Sequence, residues 1–492
     1  MRAETYDMRL GRRLFLKGVG GLAAFGVLPK AMARPNGTTP RAPEPFPTSF
    51  VWGVATAAFQ VEGAVHADNR GASIWDVWSH QRGHVVDGSN ADVADDSYDR
   101  YRNDIALMRE LGAQAYRFSI AWPRIFPEGT GKPNQKGVDH YRRQIDALHA
   151  ASIEPYCTLY HWDLPEALQQ RGGWQNRDTA KAFADYAGYI TGQLSGSVKH
   201  FITMNEIRTF IDGGYGGTHF APGLGLKGQA LSQARHYALL GHGLAVQAIR
   251  AATRKDTRIG SAEGIDACMP ALDTPEHVAA AKKAAVEENA GYLTAMHTGR
   301  YTETFLRNLG ADAPRFTPEE MTIIASPTDF QGLNIYTGNY YLAADNAQGY
   351  EAVPFPSSHP HMLSDWIMFT PEALYWGPKL MSEALGLRDI LITENGTSSS
   401  ARPDATGRVL DVDRVMFLRT YLAQLQRAVA EGVPVNGYFL WSLLDNFEWS
   451  RGYTERFGLY DVDYSTQKRT PKLSAQFYRD FIARHTSQGR GA

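Results

Sequence analysis

Eight short apolar runs, separated by amphipathic segments, constrain most strongly what this 492-residue chain can fold into. The runs are FVWGVATA (50–57), AYRFSI (115–120), EPYCTLYH (154–161), HFITMNE (200–206), RIGSAEG (258–264), DFQGLNIY (329–336), ILITENG (390–396) and NGYFLWSL (436–443). Apolar side chains recur at helical spacing over 98–111, 137–151, 178–194, 229–253, 278–308, 411–430 and 472–484. Apolar strands alternating with helices indicate a parallel sheet, and eight such units predict an α/β fold with a single closed (β/α)8 TIM barrel. An open doubly wound sheet is the alternative.

The first 47 residues do not share this alternation. Arg12 and Arg13 precede a weakly apolar stretch and the small-residue pattern Ala31-Met32-Ala33, which together predict a twin-arginine-type export signal over residues 1–33. The apolar stretch is shorter than the roughly 20 residues that span a membrane. We therefore expect an exported protein, periplasmic or secreted. A Pro-rich linker (34–47) and one catalytic domain (48–492) follow.

Composition argues against several classes of partner and cofactor. The formal net charge is -2, so no global field favours nucleic acid or an anionic membrane. GLGLKG (223–228) satisfies G-x-G-x-x-G, but it follows no strand and the next acidic residue is Asp256, so we expect no dinucleotide. No H-E-x-x-H pattern occurs, and we expect neither a metal nor another cofactor.

Polar or aromatic side chains stand at the ends of five of the eight runs. The active site of a (β/α)8 barrel lies where its strands end, so these residues are expected to converge on one opening. They are His161, Trp162, Asn205, Glu206, Asn334, Tyr336, Glu394 and Trp441. Two glutamates at such a mouth could supply the acid and the second carboxylate that glycoside hydrolysis needs. Arg117 is a candidate cation for stabilising one of them, and a structural ion pair is the alternative.

The remaining polar and aromatic candidates suit a sugar ligand. Gln60, His161, Asn205 and Glu448 can hydrogen-bond ring hydroxyls. Trp162, Trp441 and Trp449 offer flat faces for the C–H side of a pyranose. Taken together, they predict a carbohydrate pocket.

Motifs spread from residue 50 to residue 472 resemble, in order, those of glycoside hydrolase family 1, the β-glucosidase family. The motifs are FVWGVATAAFQVEGA, YRFSIAWPRIFP, TLYHWDLP, TMNE, GLNIYT, ITENG, WSLLDNFEW, RFGLYDVDY and KRTPK. The resemblance implies a cofactor-free, exo-acting, retaining β-glycosidase. Such an enzyme removes terminal β-D-glucosyl residues, with galactosyl or fucosyl residues left open, from small β-glycosides or short β-linked oligosaccharides by double displacement.

The same resemblance assigns roles residue by residue. Glu206 would be the acid/base and Glu394 the nucleophile. Apart from the resemblance, Arg117 and Asn334 are expected to support them from their places in the strand runs. The sugar would be bound by Gln60, His161, Trp162, Asn205, Tyr336, Trp441, Glu448 and Trp449, and Tyr336 would also hydrogen-bond the nucleophile. One position departs from the pattern: Ile207 stands where the family has proline after the acid/base.

Two other functions fit the same fold. A 6-phospho-β-glycosidase is opposed by Glu448 and Trp449, because that subgroup carries phosphate-binding residues at these positions. A non-catalytic sugar-binding barrel is opposed by the presence of both Glu206 and Glu394. Preferred sugar, aglycone and oligomeric state are left open.

Overall fold

A computed structural model of the chain describes residues 46–487. Among these residues the strands are β1 Val51–Ala55, β2 Ala115–Ser119, β3 Glu154–Tyr160, β4 His200–Asn205, β5 Arg258–Gly264, β6 Ala267–Pro270, β7 Phe330–Asn334, β8 Gly338–Ala343, β9 Tyr350–Val353, β10 Ile390–Asn395, β11 Val435–Trp441, β12 Tyr460–Asp463 and β13 Lys468–Pro471.

The α-helices over the same range are α1 Ala58–Val61, α2 Ile74–Ser79, α3 Ser97–Leu111, α4 Trp122–Ile125, α5 Gln135–Ala150, α6 Glu166–Gln169, α7 Arg177–Leu194, α8 Gly228–Ala252, α9 Pro275–Glu288, α10 Leu293–Thr298, α11 Glu303–Leu309, α12 Pro318–Ile324, α13 Ala373–Leu385, α14 Val412–Ala430 and α15 Leu473–Ser487. A π-helix, Thr209–Gly216, follows β4.

The eight predicted runs form one closed parallel barrel, in the order β1-β2-β3-β4-β5-β7-β10-β11. Strand β11 closes the barrel by pairing with β1, in a register that runs from Val51↔Gly437 to Ala55↔Trp441. The prediction of a (β/α)8 barrel is confirmed, and the open sheet is wrong.

Burial explains why the barrel strands are apolar runs rather than alternating ones. Every residue of β2 and β10 is buried, because one face of each strand fills the barrel interior and the other lies under the surrounding helices. Helix α15, at the end of the described chain, docks on the first strand, and the hydroxyl of Tyr478 donates to the carbonyl of Gly53 at 2.8 Å.

One helical prediction needs correction, and one long helix was missed. The segment 278–308 is not one helix but three, α9, α10 and α11, with breaks around Gly291 and at Gly299, whose φ is +66°. Helix α13 was not predicted, because Gly377 and Pro378 lie inside it and such residues usually end a helical pattern.

Smaller elements surround the mouth of the barrel. Strands β6, β8 and β9 form a three-stranded sheet, and β12 pairs with β13. Most of GLGLKG is an irregular loop, and its last glycine begins α8. No helix of residues 46–487 is long and apolar enough to cross a membrane.

The predicted export signal lies outside the described residues, and so does most of the predicted linker. Phe46, which belongs to that linker, is buried and packs against Trp52 at a ring distance of 4.8 Å. The division into 1–33, 34–47 and 48–492 stays a prediction.

Candidate active site

A cavity of about 780 Å³ opens where the barrel strands end. Nine of the twelve predicted site residues line it, namely His161, Trp162, Glu206, Asn334, Tyr336, Glu394, Trp441, Glu448 and Trp449. Gln60, Asn205 and Arg117 lie behind this lining, and each hydrogen-bonds a residue that faces the cavity. The structure therefore brings all twelve into one connected site.

Glu394, at the end of β10, is held by a donor on each of its carboxylate oxygens. Arg117 donates to Oε1 at 2.6 Å, and the hydroxyl of Tyr336 donates to Oε2 at 2.8 Å. Arg117 is itself buried, so the ion pair is shielded from water. These two donors fix the direction in which Glu394 presents an oxygen to the cavity.

Arg117 connects Glu394 to two further residues of the barrel. It forms a buried ion pair, and it also reaches across the barrel to Asn205, donating to Oδ1 at 2.6 Å. Its third nitrogen donates to the hydroxyl of Thr158 at 3.2 Å. A guanidinium suits this position because its planar fork can donate in several fixed directions at once.

Glu206 follows β4 and adopts a left-handed backbone conformation, with φ of +49°. Asn334 donates to Oε1 at 2.8 Å, and the hydroxyl of Thr209 donates to Oε2 at 2.7 Å. The neighbouring strand leaves room for this carboxyl group, since a Cβ added to Gly264 would lie 3.1 Å from the Glu206 Cδ atom. A side chain at position 264 would therefore press against the carboxyl group.

The two glutamates are joined by a continuous chain of hydrogen bonds. The Nδ2 group of Asn334, which donates to Glu206, also lies 3.0 Å from Asn205 Oδ1. Asn205 Oδ1 accepts from Arg117 as well, and Arg117 holds Glu394. Because every member is held by another, the geometry of the pair is preorganised.

The surroundings raise the pKa of Glu206 from 4.5 to about 7. Burial is the largest cause, and the charge of Glu394 adds to it, because both disfavour a second negative charge in the cavity. Hydrogen bonds from Asn334 and Thr209 and the charge of Arg117 act in the opposite direction. Glu206 can therefore carry a proton near neutral pH and release it as the pH rises through about 7.

One wall of the cavity is aromatic. Trp162 and Trp449 are in contact, with ring centroids 4.4 Å apart, and the ring of His161 stacks on Trp441 at 5.7 Å. Burial, with the Arg117 charge adding to it, lowers the pKa of His161 well below 6.5, so the ring is neutral. Such a wall can bind the apolar face of a sugar ring while the polar edges bind its hydroxyls.

Glu448, the residue before Trp449, also lines the cavity. The side-chain amide of Gln60 donates to Glu448 Oε2 at 3.3 Å and to the carbonyl of Phe447 at 3.0 Å. Burial raises the pKa of Glu448 well above its usual range, and the charges of Glu455 and Glu394 add to this effect. A protonated carboxyl group can both donate to and accept from hydroxyl groups.

Several residues at this mouth were not predicted. Thr209, three positions after Glu206, could have been anticipated, because short hydroxyl side chains often bond nearby groups at a helix start. Trp366, 47% exposed, and Glu455 also line the cavity, but they come from loops without a local pattern. Segments 207–226 and 337–378 also contribute lining residues, and segment 397–410 contributes none.

Within residues 46–487, no group of three or more His, Cys, Asp or Glu side chains is arranged to hold a metal ion.

One carboxyl group holds a proton near neutral pH, and a second carboxyl group is paired with arginine. Cleavage of a glycosidic bond requires such a pair, an acid and a carboxylate. The tryptophan wall provides the surface that such a substrate needs. Fold and site thus define the class of the protein: it is a glycoside hydrolase.

Comparison with known proteins narrows this class. Residues 42–487 match the model of glycosyl hydrolase family 1. A 1,4-β-D-glucan glucohydrolase of Thermotoga neapolitana is 41% identical over 440 residues, covering 89% of this chain and 98% of that relative. β-Glucosidase A of Thermotoga maritima is 41% identical over 440 residues, covering 89% and 97%. A solved structure of a β-glucosidase from Thermotoga maritima in complex with glucoimidazole has a TM-score of 0.82 and 39% identity, covering 90% of this chain and 99% of that chain. The chain belongs to glycosyl hydrolase family 1.

Proposed function

We propose that this glycoside hydrolase is an exo-acting, retaining β-glucosidase, with Glu206 as acid/base and Glu394 as nucleophile. The observation that carries the proposal is the contrast between the two carboxyl groups. Glu206 has a pKa raised to about 7, whereas Glu394 is paired with Arg117 at 2.6 Å. The relatives named above, a glucan glucohydrolase and a β-glucosidase, support glucose as the sugar released.

In the first step the bond between sugar and aglycone breaks. An oxygen of Glu394 forms a bond to the anomeric carbon while Glu206 transfers its proton to the leaving oxygen. The aglycone departs as a neutral alcohol, and the sugar stays bound to Glu394 as an ester. Tyr336 and Arg117 hold Glu394 in line for this attack.

In the second step water replaces the aglycone. Glu206, now ionised, accepts a proton from the water molecule, whose oxygen attacks the anomeric carbon. The bond to Glu394 breaks and its electron pair returns to the carboxylate. Two inversions give a product of the original configuration, and Glu206 is protonated again for the next cycle.

Sugar binding is assigned to the residues around Glu394. His161, Asn205, Gln60 and Glu448 are proposed to bind hydroxyl groups, and the tryptophans at 162, 441 and 449 to shape the pocket. Asn205 and Gln60 lie behind the lining, so their contacts with sugar require the hydroxyl groups to reach deep into the site. We propose exo action because relatives of this chain are named a glucan glucohydrolase and a β-glucosidase.

A panel of aryl glycosides tests this function. We expect turnover of aryl β-glucosides, release of the β-anomer as the first product by NMR, and at least roughly tenfold lower kcat/KM for the 6-phosphate of the same glucoside. The phosphate dianion would lie beside Glu448, where burial and the charges of Glu455 and Glu394 already disfavour a negative charge. The β-galactoside and β-fucoside measure sugar preference in the same assay.

Other outcomes of the panel would favour the alternatives. A preference for the 6-phosphate would indicate a 6-phospho-β-glycosidase, and sugar binding without turnover at any pH would indicate a non-catalytic barrel. Release of the α-anomer first would contradict double displacement.

The N-terminal motif supports a further proposal, that the protein is exported in folded form through the twin-arginine route. In a bacterial host with this route, the full chain is expected in the periplasmic fraction and Arg12→Lys with Arg13→Lys in the cytoplasm, because the paired arginines are the signal that the route recognises. β-Glucosidase activity in each fraction is the measurement. A chain starting at Arg34 is the control for leakage, and an unchanged exported fraction in the double variant would contradict the proposal.

A further inference from the structure

Glu263 is a buried carboxyl group beside the site that the mechanism above does not use. It lies on β5, next to β4 and Glu206, and only 1% of its surface is exposed. Its Oε2 accepts the backbone N–H of Ile207 at 3.1 Å, and its Oε1 has no hydrogen-bond partner among the described residues. Burying a carboxyl group with a single hydrogen bond costs free energy of folding. An apolar side chain would therefore be expected here unless the hydrogen bond has a role.

The contact holds the backbone immediately after Glu206. Glu206 is in the left-handed region, which costs a non-glycine residue free energy and persists only where its surroundings impose it. Its own N–H donates to the carbonyl of Ala262 at 2.7 Å, and its carbonyl accepts from Thr209 at 3.0 Å. The next amide, that of Ile207, is anchored by Glu263.

Ile207 creates the need for this anchor. It is completely buried and begins the helical segment after β4, where an N–H group has no partner within the helix. Proline at this position would have no N–H and would preset φ, as it does at the first position of many helices. Isoleucine keeps its backbone N–H in a site shielded from water, and Glu263 supplies the acceptor. The two residues therefore form a matched pair.

Burial and charged neighbours determine the protonation state of Glu263. Burial raises the pKa of Glu263 well above its usual range, the charge of Glu206 adds to this, and Arg208 opposes it. Arg208 is itself paired with Asp266. Glu206, in turn, faces Glu394 and Arg117. Glu263 is thus expected to be neutral at neutral pH and to accept from Ile207 as a carbonyl does, which glutamine could imitate.

We propose that Glu263 is a positioning residue for the acid/base: by accepting the Ile207 N–H, it holds Glu206 in the left-handed turn that directs its carboxyl group into the cavity. The inference rests on the proposed role of Glu206. It assigns a function to a residue that touches neither the substrate nor the reacting atoms.

A double-mutant cycle between positions 207 and 263 tests the pair. Glu263→Leu leaves the Ile207 N–H without an acceptor and is expected to lower kcat by roughly tenfold to a hundredfold, with KM changed less, because a small misplacement of a catalytic group has effects of this size. The alkaline limb of the pH–rate profile of Glu263→Leu should also move, whereas Glu263→Gln should keep the wild-type kcat and pH profile. Ile207→Pro alone should lose activity, because it leaves Glu263 without a donor.

The combination Ile207→Pro with Glu263→Leu is the decisive variant. Removing donor and acceptor together should restore kcat to within about threefold of the wild type, since neither partner is then left unpaired. If the two substitutions together lower kcat by the product of their single effects, the proposal is wrong. A wild-type pH profile in Glu263→Leu would also overturn it.

A matched control lies at the opposite end of the same strand. Asp329 Oδ2 accepts the backbone N–H of Ile259 at 2.7 Å and also pairs with Arg250, so Asp329→Leu removes a backbone contact of the same kind, together with an ion pair, far from the site. It is expected to lower the melting temperature without moving the pH profile.

Hydrogen exchange of the Ile207 amide gives a second readout that needs no turnover. Exchange should be slow in the wild type and in Glu263→Gln, and fast in Glu263→Leu. Unchanged protection in Glu263→Leu would contradict the pairing even if the proposed activity were absent. A wild type without glycosidase activity would contradict the proposed function instead, so the two failures are distinguishable.

Discussion

Replacing Glu394 by glycine is expected to reduce hydrolysis of aryl β-glucosides by about 10⁴-fold or more, and azide is expected to restore part of the turnover. The variant removes the group that attacks the anomeric carbon and leaves space beside Arg117 and Tyr336, the two donors that hold the carboxylate. A small external anion can enter that space. Since it attacks directly, in one inversion, the product should be the α-glucosyl azide, which NMR identifies.

Glu394→Gln is the matched control for this experiment. The amide has the size of the carboxylate but is a poor nucleophile, and it fills the space that azide would need. This variant should be as inactive as the glycine variant and should not respond to azide. Full activity in Glu394→Gly, or a β-azide product, would contradict the assignment of Glu394.

Replacing Glu206 by alanine is expected to have an effect that depends on the leaving group. For alkyl glucosides, whose oxygen must be protonated as it leaves, kcat/KM should fall by about 10²–10⁴-fold. For a dinitrophenyl glucoside the first step needs no proton, so the sugar ester on Glu394 should form and accumulate. Azide should then release β-glucosyl azide, with configuration retained, because it replaces the water that Glu206 activates.

The pH profile provides the second part of this prediction. The wild type needs protonated Glu206 in the first step, and the pKa of this group is raised from 4.5 to about 7. Activity should therefore be present below about pH 7 and should fall as the pH rises through that value. In Glu206→Ala with the dinitrophenyl substrate, this limb should disappear from kcat/KM. A limb that persists unchanged would assign the titration to another group.

The barrel was predictable because its signal is local. A strand buried on both faces must be apolar along its length, and a covering helix must be apolar on one side, so both leave patterns within a few residues. All eight barrel strands follow from such patterns, and so does the placement of Glu206 and Glu394 at strand ends. Helix α13 escaped the same reasoning because Pro378 interrupts its pattern locally while packing keeps the helix intact.

The interactions within the site could not be read in this way. The Arg117 side chain meets Glu394, 277 positions away in the chain, and Asn334 meets Glu206, 128 positions away. Nothing in either short motif specifies the partner or the distance. Glu263 is a clear case, since RIGSAEG gives no sign that its glutamate accepts the amide of Ile207, which follows the neighbouring strand β4.

The sequence by itself determined the fold class, the family resemblance, and the residues that stand at the mouth of the barrel, because periodicity and motif order are properties of the chain. Tertiary structure decided how the two carboxyl groups differ. The raised pKa of Glu206 results from burial and from the charge of Glu394, which act only when the barrel closes and brings distant strand ends together. The tertiary structure also shows that Ile207, which departs from the family motif, is hydrogen-bonded through its backbone N–H to Glu263.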